Sequence, residues 1–419
     1  MDWSRLSKFT ATIIRAGAPF SVFRYRDFTF AWGSTSLVTM GTQMEAVVLG
    51  WFILTLTDSP FLVGLISAAR MGMNIMALFA GAVADRVPRH HLLAIVEFLM
   101  TAFAVLMLVL IMIGQLETWH IFVIAVIAGM VRVFQMPAAQ SLVADTLPSE
   151  RINNGAAFNN LGRNIAMLLG PLLGGVLFNS FGAKGAYIAI AILYFLSGWV
   201  ALYIRSSGIN VSGSKTAESE SVLRTMIGGL KYVKSHQILW ATLALALIIE
   251  SSGWTFHTTL MPIFAKNVLD VDSTGLGLLL FAFGVGAVVA SIGWAMIRDL
   301  KHVGKFMIAS VVFWHASIIL FATSESFYLS MAILTLTGAG FASTQVFLLS
   351  SMLSNSLPEF RGRVVSLRSL AIYAFAIGSM TSGFMAGLWS APIAANVVGI
   401  MGIVLVLSLA VVAPKFRNS

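Results

Sequence analysis

Glu45, Arg70, Arg132 and Arg163 are ionisable residues set inside long apolar runs, and Glu250 and His257 hold comparable places in the second half of the sequence. A charge near the middle of a bilayer is expensive, so each of these residues needs a partner or a task. At about 1.5 Å of rise per helical residue, Glu45, Arg70, Arg132 and Arg163 all fall in the middle third of their runs. The spacing therefore predicts one mixed-charge site. A carboxylate among guanidiniums can form an ion pair, exchange a proton as its surroundings change, or compete with a charged molecule for the same cations. Glu45 is the central carboxylate of the first half and Glu250 that of the second. His257 stands two turns beyond Glu250 on roughly one helix face and can titrate near neutrality, which adds it to the proton-coupling candidates. The structural alternative is a permanent buried ion pair that fixes helix packing, or, for His257 and His315, an interior hydrogen bond.

Other chemistry is absent. The chain lacks cysteine, H-E-x-x-H, G-x-S-x-G and a G-x-x-x-x-G-K-[ST] loop. This predicts no catalytic residues, no metal and no cofactor, and argues against a membrane-embedded enzyme or an ATP-driven pump. No filter-forming repeat favours a channel.

The elements that must position these residues follow from composition. Hydrophobic residues make up 58% of 419 positions and charged residues 10%, a balance that suits lipid rather than water as solvent. One crossing takes about 20 apolar residues. Walking the runs gives twelve: Phe28 to Leu56, Phe61 to Ala84, Leu92 to Gly114, His120 to Leu142, Gly155 to Phe178 and Ala186 to Ile204, then Ile238 to Phe264, Gly275 to Ile297, Phe306 to Ala322, Phe327 to Met352, Val364 to Trp389 and Pro392 to Val412. The expected organisation is an N-terminal arm over 1–27 with no removable leader, a six-helix bundle over 28–204, a linker over 205–237, a second bundle over 238–413 and a tail over 414–419. The linker ends in an amphipathic stretch at Leu223, Ile227, Leu230 and Val233.

With a cytoplasmic N-terminus, nearly every loop Lys and Arg falls inside, and only Lys184 and Lys266 fall outside. The formal charge of +9 is thus a matter of topology and calls for no nucleic acid. The expected location is a prokaryotic cytoplasmic membrane with both termini cytoplasmic.

A repeat is visible. Asp58-Ser59 precedes the second run and Asp85 ends it, while Asp272-Ser273 precedes the eighth and Asp299 ends it at the same separation. Leu147-Pro148 with Arg151 leads into the fifth run as Leu357-Pro358 with Arg361 leads into the eleventh. A duplicated six-helix unit places a cavity between two halves.

On these residues the chain resembles the major facilitator superfamily. Gly81, Asp85, Arg86 and Arg89 look like its G-x-x-x-D-R-x-G-R-K signature, with Pro88 in place of a glycine and His90 and His91 where lysine or arginine is common. The resemblance implies an inner latch: Asp85 meets the start of span 11 at Gly362 and Arg363, and Arg89 pairs with Asp145, contacts expected only when the cytoplasmic ends of the halves meet. Gly170, Pro171, Gly174 and Gly175 match the core of an antiporter-associated motif, and Arg132 with Gln135 matches R-x-x-Q. The residues around Asp27 and Arg361 are similar to those of siderophore exporters and macrolide efflux proteins.

The fold expected is therefore an all-α membrane protein with twelve helices in two pseudo-symmetric bundles. Its expected task is proton-coupled efflux of a small amphipathic molecule as a monomer in the lipid bilayer; uptake, or movement of a lysophospholipid, is the alternative. Besides the charges, the cavity candidates are Gln43, Trp51, Asn74, Gln135, Asn160 and Asn164 in the first half and Trp254, Gln345 and Tyr373 in the second. So few hydrogen-bonding side chains suit a lipophilic cargo better than a sugar.

Overall fold

The computed structural model describes residues 19–72, 87–205, 222–297, 302–357 and 360–419, all helices and their connections with no strand among them. Nine helices among the described residues are long and apolar enough to cross a membrane, one of them a bent double crossing, and the shorter apolar helices Pro60–Met71 and Thr118–Arg132 belong to two more. Twelve crossings result. Spans 1 to 6 are Arg26–Thr57, the segment opening with Pro60–Gly72, Arg89–Met112, Thr118–Arg132 continued by Gln135–Thr146, and the two arms of Ile152–Ala201. Spans 7 to 12 are Gln237–Asn267, Ser273–Ala295, Val303–Ala322, Phe327–Ser354, Arg361–Leu388 and Ala391–Val412.

Local chemistry sets the breaks. Gly182, at φ 66° and ψ −172°, reverses the chain between spans 5 and 6, a conformation essentially closed to residues with a Cβ. Span 8 begins where Asp272 accepts a hydrogen bond from the Gly275 N–H at 2.8 Å, and span 12 where Ser390 caps Ile393 ahead of a proline in the first turn. Two stretches of span 7, Glu250–Trp254 and Phe256–Leu260, are wound as wide π-helical turns.

The surface is apolar where a soluble protein's is polar. Span 3 turns Ile95, Leu99, Leu106 and Val109 outward while Leu93, Val96 and Met100 are buried, an arrangement that hydrocarbon tolerates and water does not. With lipid outside, helix association rests on close contact, and small residues provide it. Gly170 and Gly174 seat span 5 on Gln43 and Met44 of span 1, and Gly378 seats span 11 on Ser251 of span 7. Gly129 seats span 4 on the Arg70 carbonyl of span 2, and Gly338 seats span 10 on Phe283 of span 8. Each contact in one half has its counterpart in the other.

The same device joins the halves. A Cβ on Gly175 of span 5 would lie 2.1 Å from the Ser273 carbonyl oxygen of span 8, and one on Gly64 of span 2 would lie 2.2 Å from the Ser379 carbonyl oxygen of span 11. Ser273 also donates its hydroxyl to the Gly175 carbonyl at 2.9 Å. Beyond these seams Lys266 donates to Asp58 at 2.5 Å and to the Leu54 carbonyl at 3.3 Å, tying span 7 to span 1. All of this lies toward the face that carries the loop between spans 1 and 2 and the loop between spans 7 and 8. That face is closed. Toward the face carrying both termini, Asn160, Arg163 and Asn164 of span 5 are exposed.

The linker's end forms the helix Val222–Ser235, which lies along the start of span 11 with Tyr232 stacked on Phe360 at 4.1 Å. Val233 is buried as its pattern predicts, but Leu230 is 57% exposed, because Gly229 rather than Leu230 meets Arg363 and Leu367.

Candidate functional site

Glu45 projects from span 1 into the first bundle and is 9% exposed. Its Oε2 accepts from Arg132 Nη2 of span 4 at 2.5 Å and from the Tyr194 hydroxyl of span 6 at 2.9 Å, with Arg70 Nη2 of span 2 at 3.5 Å. Arg132 Nη2 also donates to the Tyr194 oxygen at 3.3 Å. Two local features bring these atoms to one level. Gly129 lets span 4 lie directly on the Arg70 backbone, and the helix of span 4 breaks just after Arg132, before Gln135 restarts it. One carboxylate faces two guanidiniums, so the cluster carries an excess positive charge in a low-dielectric wall, where it attracts a further anion strongly.

Arg163 does not join it. Its side chain is exposed and donates to Asn160 of the same span at 3.4 Å, because span 5 turns this face to the space between the halves rather than into the bundle. There Arg163 comes within electrostatic range of Arg368 on span 11, which itself donates to Gln345 and faces Glu250. Of the other cavity candidates, Asn160 and Asn164 are exposed, Gln43 and Tyr373 are half-buried, and Gln135 is buried at 9% exposure. Trp51, at 7% exposure, is a core residue. Trp254 stacks on Phe341 at 5.1 Å. Asn74 lies outside the described residues.

Glu250 and His257 do not share a face. A π-helical turn takes more residues per revolution than the 3.6 of an α-helix, and two such stretches rotate His257 away from Glu250. Glu250 faces Arg368, whereas His257 is 4% exposed inside the second bundle, 3.9 Å from the Phe283 ring. Its Nε2 accepts from Trp314 Nε1 at 3.2 Å. His315 beside it contacts the Val311 carbonyl through Nδ1 and Ser252 through Nε2, each at 2.8 Å.

Arg89 Nη1 donates to both oxygens of Asp145, at 2.8 and 2.6 Å. This pair joins span 3 to span 4 within one half and is made while the far face is closed. Among the described residues nothing comes within 4 Å of the Gly362 Cβ position, and the Arg363 guanidinium sits over the Phe360 ring at 5.3 Å. Gly81, Asp85 and Arg86 lie outside the described residues. The antiporter-like motif has a clear place: Gly170 and Gly174 face span 1, while Gly175 and the backbone of Pro171 face span 8.

Sequence reasoning missed Tyr194. A signal was present, since Tyr187 and Tyr194 stand two turns apart on the buried side of span 6. It also missed the Lys266 to Asp58 tie. No group of three or more His, Asp or Glu among the described residues is placed to hold a metal ion. Clefts of about 690 and 860 Å³ lie on the apolar outer surface, lined by residues such as Ile308 and Leu407 or Leu62 and Phe122, away from Glu45.

The staphyloferrin A transporter of Staphylococcus aureus is 23% identical over 279 residues, covering 66% of this chain and 68% of that protein. The multidrug efflux pump Tap of Mycolicibacterium fortuitum is 21% identical over 354 residues, covering 83% and 86%. A bacterial homologue of the human lysosomal transporter Spinster, solved inward-facing and unoccupied, superposes with a TM-score of 0.68 at 14% identity, covering 94% of this chain and 96% of that one. These are transporters, not enzymes. The model of the transmembrane secretion effector family matches residues 17–417, and the chain belongs to that family of the major facilitator superfamily.

Proposed function

We propose that this transporter exports a small amphipathic molecule in exchange for protons, by alternating access, from a prokaryotic cytoplasmic membrane with both termini in the cytoplasm. The observation that carries the coupling is the buried Glu45 between Arg70 and Arg132: a carboxylate held by a tyrosine hydroxyl and by cations that can be drawn elsewhere is able to gain and lose a proton in each cycle. Cytoplasmic termini follow from the Lys and Arg distribution. On that orientation the closed face is the outer one, and the space beside Asn160, Arg163 and Asn164 opens inward, as in the Spinster homologue. Efflux and a drug-like or siderophore-like cargo take support from Tap and from the staphyloferrin A transporter.

The test is substrate-dependent pH change in proteoliposomes, screened over lipophilic cations, macrolides and catecholate siderophores. Glu45→Gln keeps the shape and removes the titration. It is expected to abolish accumulation against a gradient while cargo binding and downhill exchange persist. Full uphill transport by this variant, with the parent's pH dependence, would eliminate Glu45 and move the coupling to Glu250.

A further inference from the structure

Glu97 is the one carboxylate among the described residues with no exposed surface at all. It lies on span 3, where Gly198 of span 6 leaves room for its Cβ, and neither of its oxygens makes a hydrogen bond. Its polar surroundings come from three helices. Span 4 contributes Arg132, near enough to act electrostatically, and Gln135, whose side chain approaches the carboxyl as a weak donor beyond normal hydrogen-bond length. Span 6 contributes Ser197, whose hydroxyl proton is committed to the Ser34 carbonyl of span 1 at 2.8 Å. On its own helix the Glu97 carbonyl accepts from Thr101, and His90 stands two turns away toward the terminal face. Glu45 and Tyr194 lie beyond Arg132.

An ionised carboxylate with no hydrogen bond of normal length in such a site costs several kcal/mol, whereas a neutral carboxylic acid removes most of that penalty. Arg132 is the only cation facing it among the described residues, and in this conformation its Nη2 is given to Glu45 while its buried Nε has no partner. Resting on the proton-coupled reading above, we infer that Glu97 is a second proton-binding site and that it and Glu45 trade Arg132 between them. In the conformation described, Arg132 neutralises Glu45 and Glu97 holds the proton. When the guanidinium turns to Glu97, that carboxyl releases its proton and becomes the ion-paired member. Glu45, left with Tyr194 and the more distant Arg70, becomes the acid that accepts one. The net charge of the group is unchanged by the exchange, so no step leaves an uncompensated ion in the bundle.

Infrared difference spectroscopy of the purified transporter in lipid nanodiscs, titrated from acid to alkaline pH, reads this without a cargo. The parent is expected to show a protonated-carboxyl stretch at neutral pH that Glu97→Gln loses and that Glu97→Asp retains at a shifted frequency. Equal thermal stability of the variants keeps the comparison valid. Glu45→Gln frees Arg132 and is expected to weaken the Glu97 band. A parent spectrum with no such band, or the same band in Glu97→Gln, would overturn the proposal, and an unchanged band in Glu45→Gln would overturn the exchange of Arg132. If proteoliposomes show no proton movement with any cargo, the coupling reading fails on its own while the spectra still decide where the proton sits.

Discussion

In the first half, spans 1, 2 and 4 bring Glu45, Arg70 and Arg132 together; in the second, spans 7, 8 and 10 bring together His257, Phe283 and Phe341. The register of the internal repeat carries the first trio to within a residue or two of the second. The two sites are the same place in a duplicated bundle. Around both, glycines at matching crossings set the helices at contact distance, so the scaffold does not explain the difference. What differs is the solvent each site supplies for a charge. The first offers two guanidiniums and a tyrosine hydroxyl to one carboxylate oxygen. The second is a ring stack, with His257 held by Trp314 and packed 3.9 Å from Phe283. Duplication thus supplied one frame twice, and side-chain chemistry made one copy a charge-handling wall and the other a rigid aromatic one.

The harshest way to test this contrast is Arg132→Ala. It leaves Glu45 with Arg70 at 3.5 Å and Tyr194 alone, and breaking a buried pair of this kind costs about 3–5 kcal/mol. Thermal unfolding in detergent is expected to show that loss, with transport abolished. A variant as stable as the parent would mean the cluster is not the electrostatic centre of its half.

Gly175→Ala and Gly64→Ala test what the halves share. Each inserts a methyl group against a carbonyl oxygen of the opposite half, and overpacking typically costs about 1–3 kcal/mol. Both are expected to pry open the closed face to a similar degree, read by distances between spin labels placed there. Unequal shifts would show that the two seams are not equivalent.

The mildest change is His257→Gln, which keeps an acceptor for the Trp314 N–H and removes the imidazole. A neutral hydrogen bond is worth about 1 kcal/mol, so stability is expected to fall by less than that and the pH profile of transport to stay the same. A shifted profile would return His257 to the coupling chemistry and blur the contrast between the halves.

Much of the architecture was legible from the sequence because the bilayer imposes length and hydropathy on every crossing. The twelve runs, the break near Gly182 and the repeat at Asp58-Ser59 and Asp272-Ser273 are local patterns, and local patterns survive without tertiary context. Depth was legible for the same reason: counting along helices put Glu45, Arg70 and Arg132 at one level. Which way each side chain turns at that level was not. Arg163 shares the depth yet faces the space between the halves, since rotation of span 5 is set by Gly170 and Gly174 against span 1. His257 left the face of Glu250 because span 7 is wound in π-helical turns, which no periodicity count anticipates. Glu97 is a fully buried acid because Gly198 of span 6 opens the place it fills, a contact between helices that no local pattern shows. Sequence alone therefore determined how many helices cross and how deep each charge lies. Only the tertiary structure decided which charges meet, since pairing depends on helix rotation, and rotation is fixed by contacts between residues far apart in the chain.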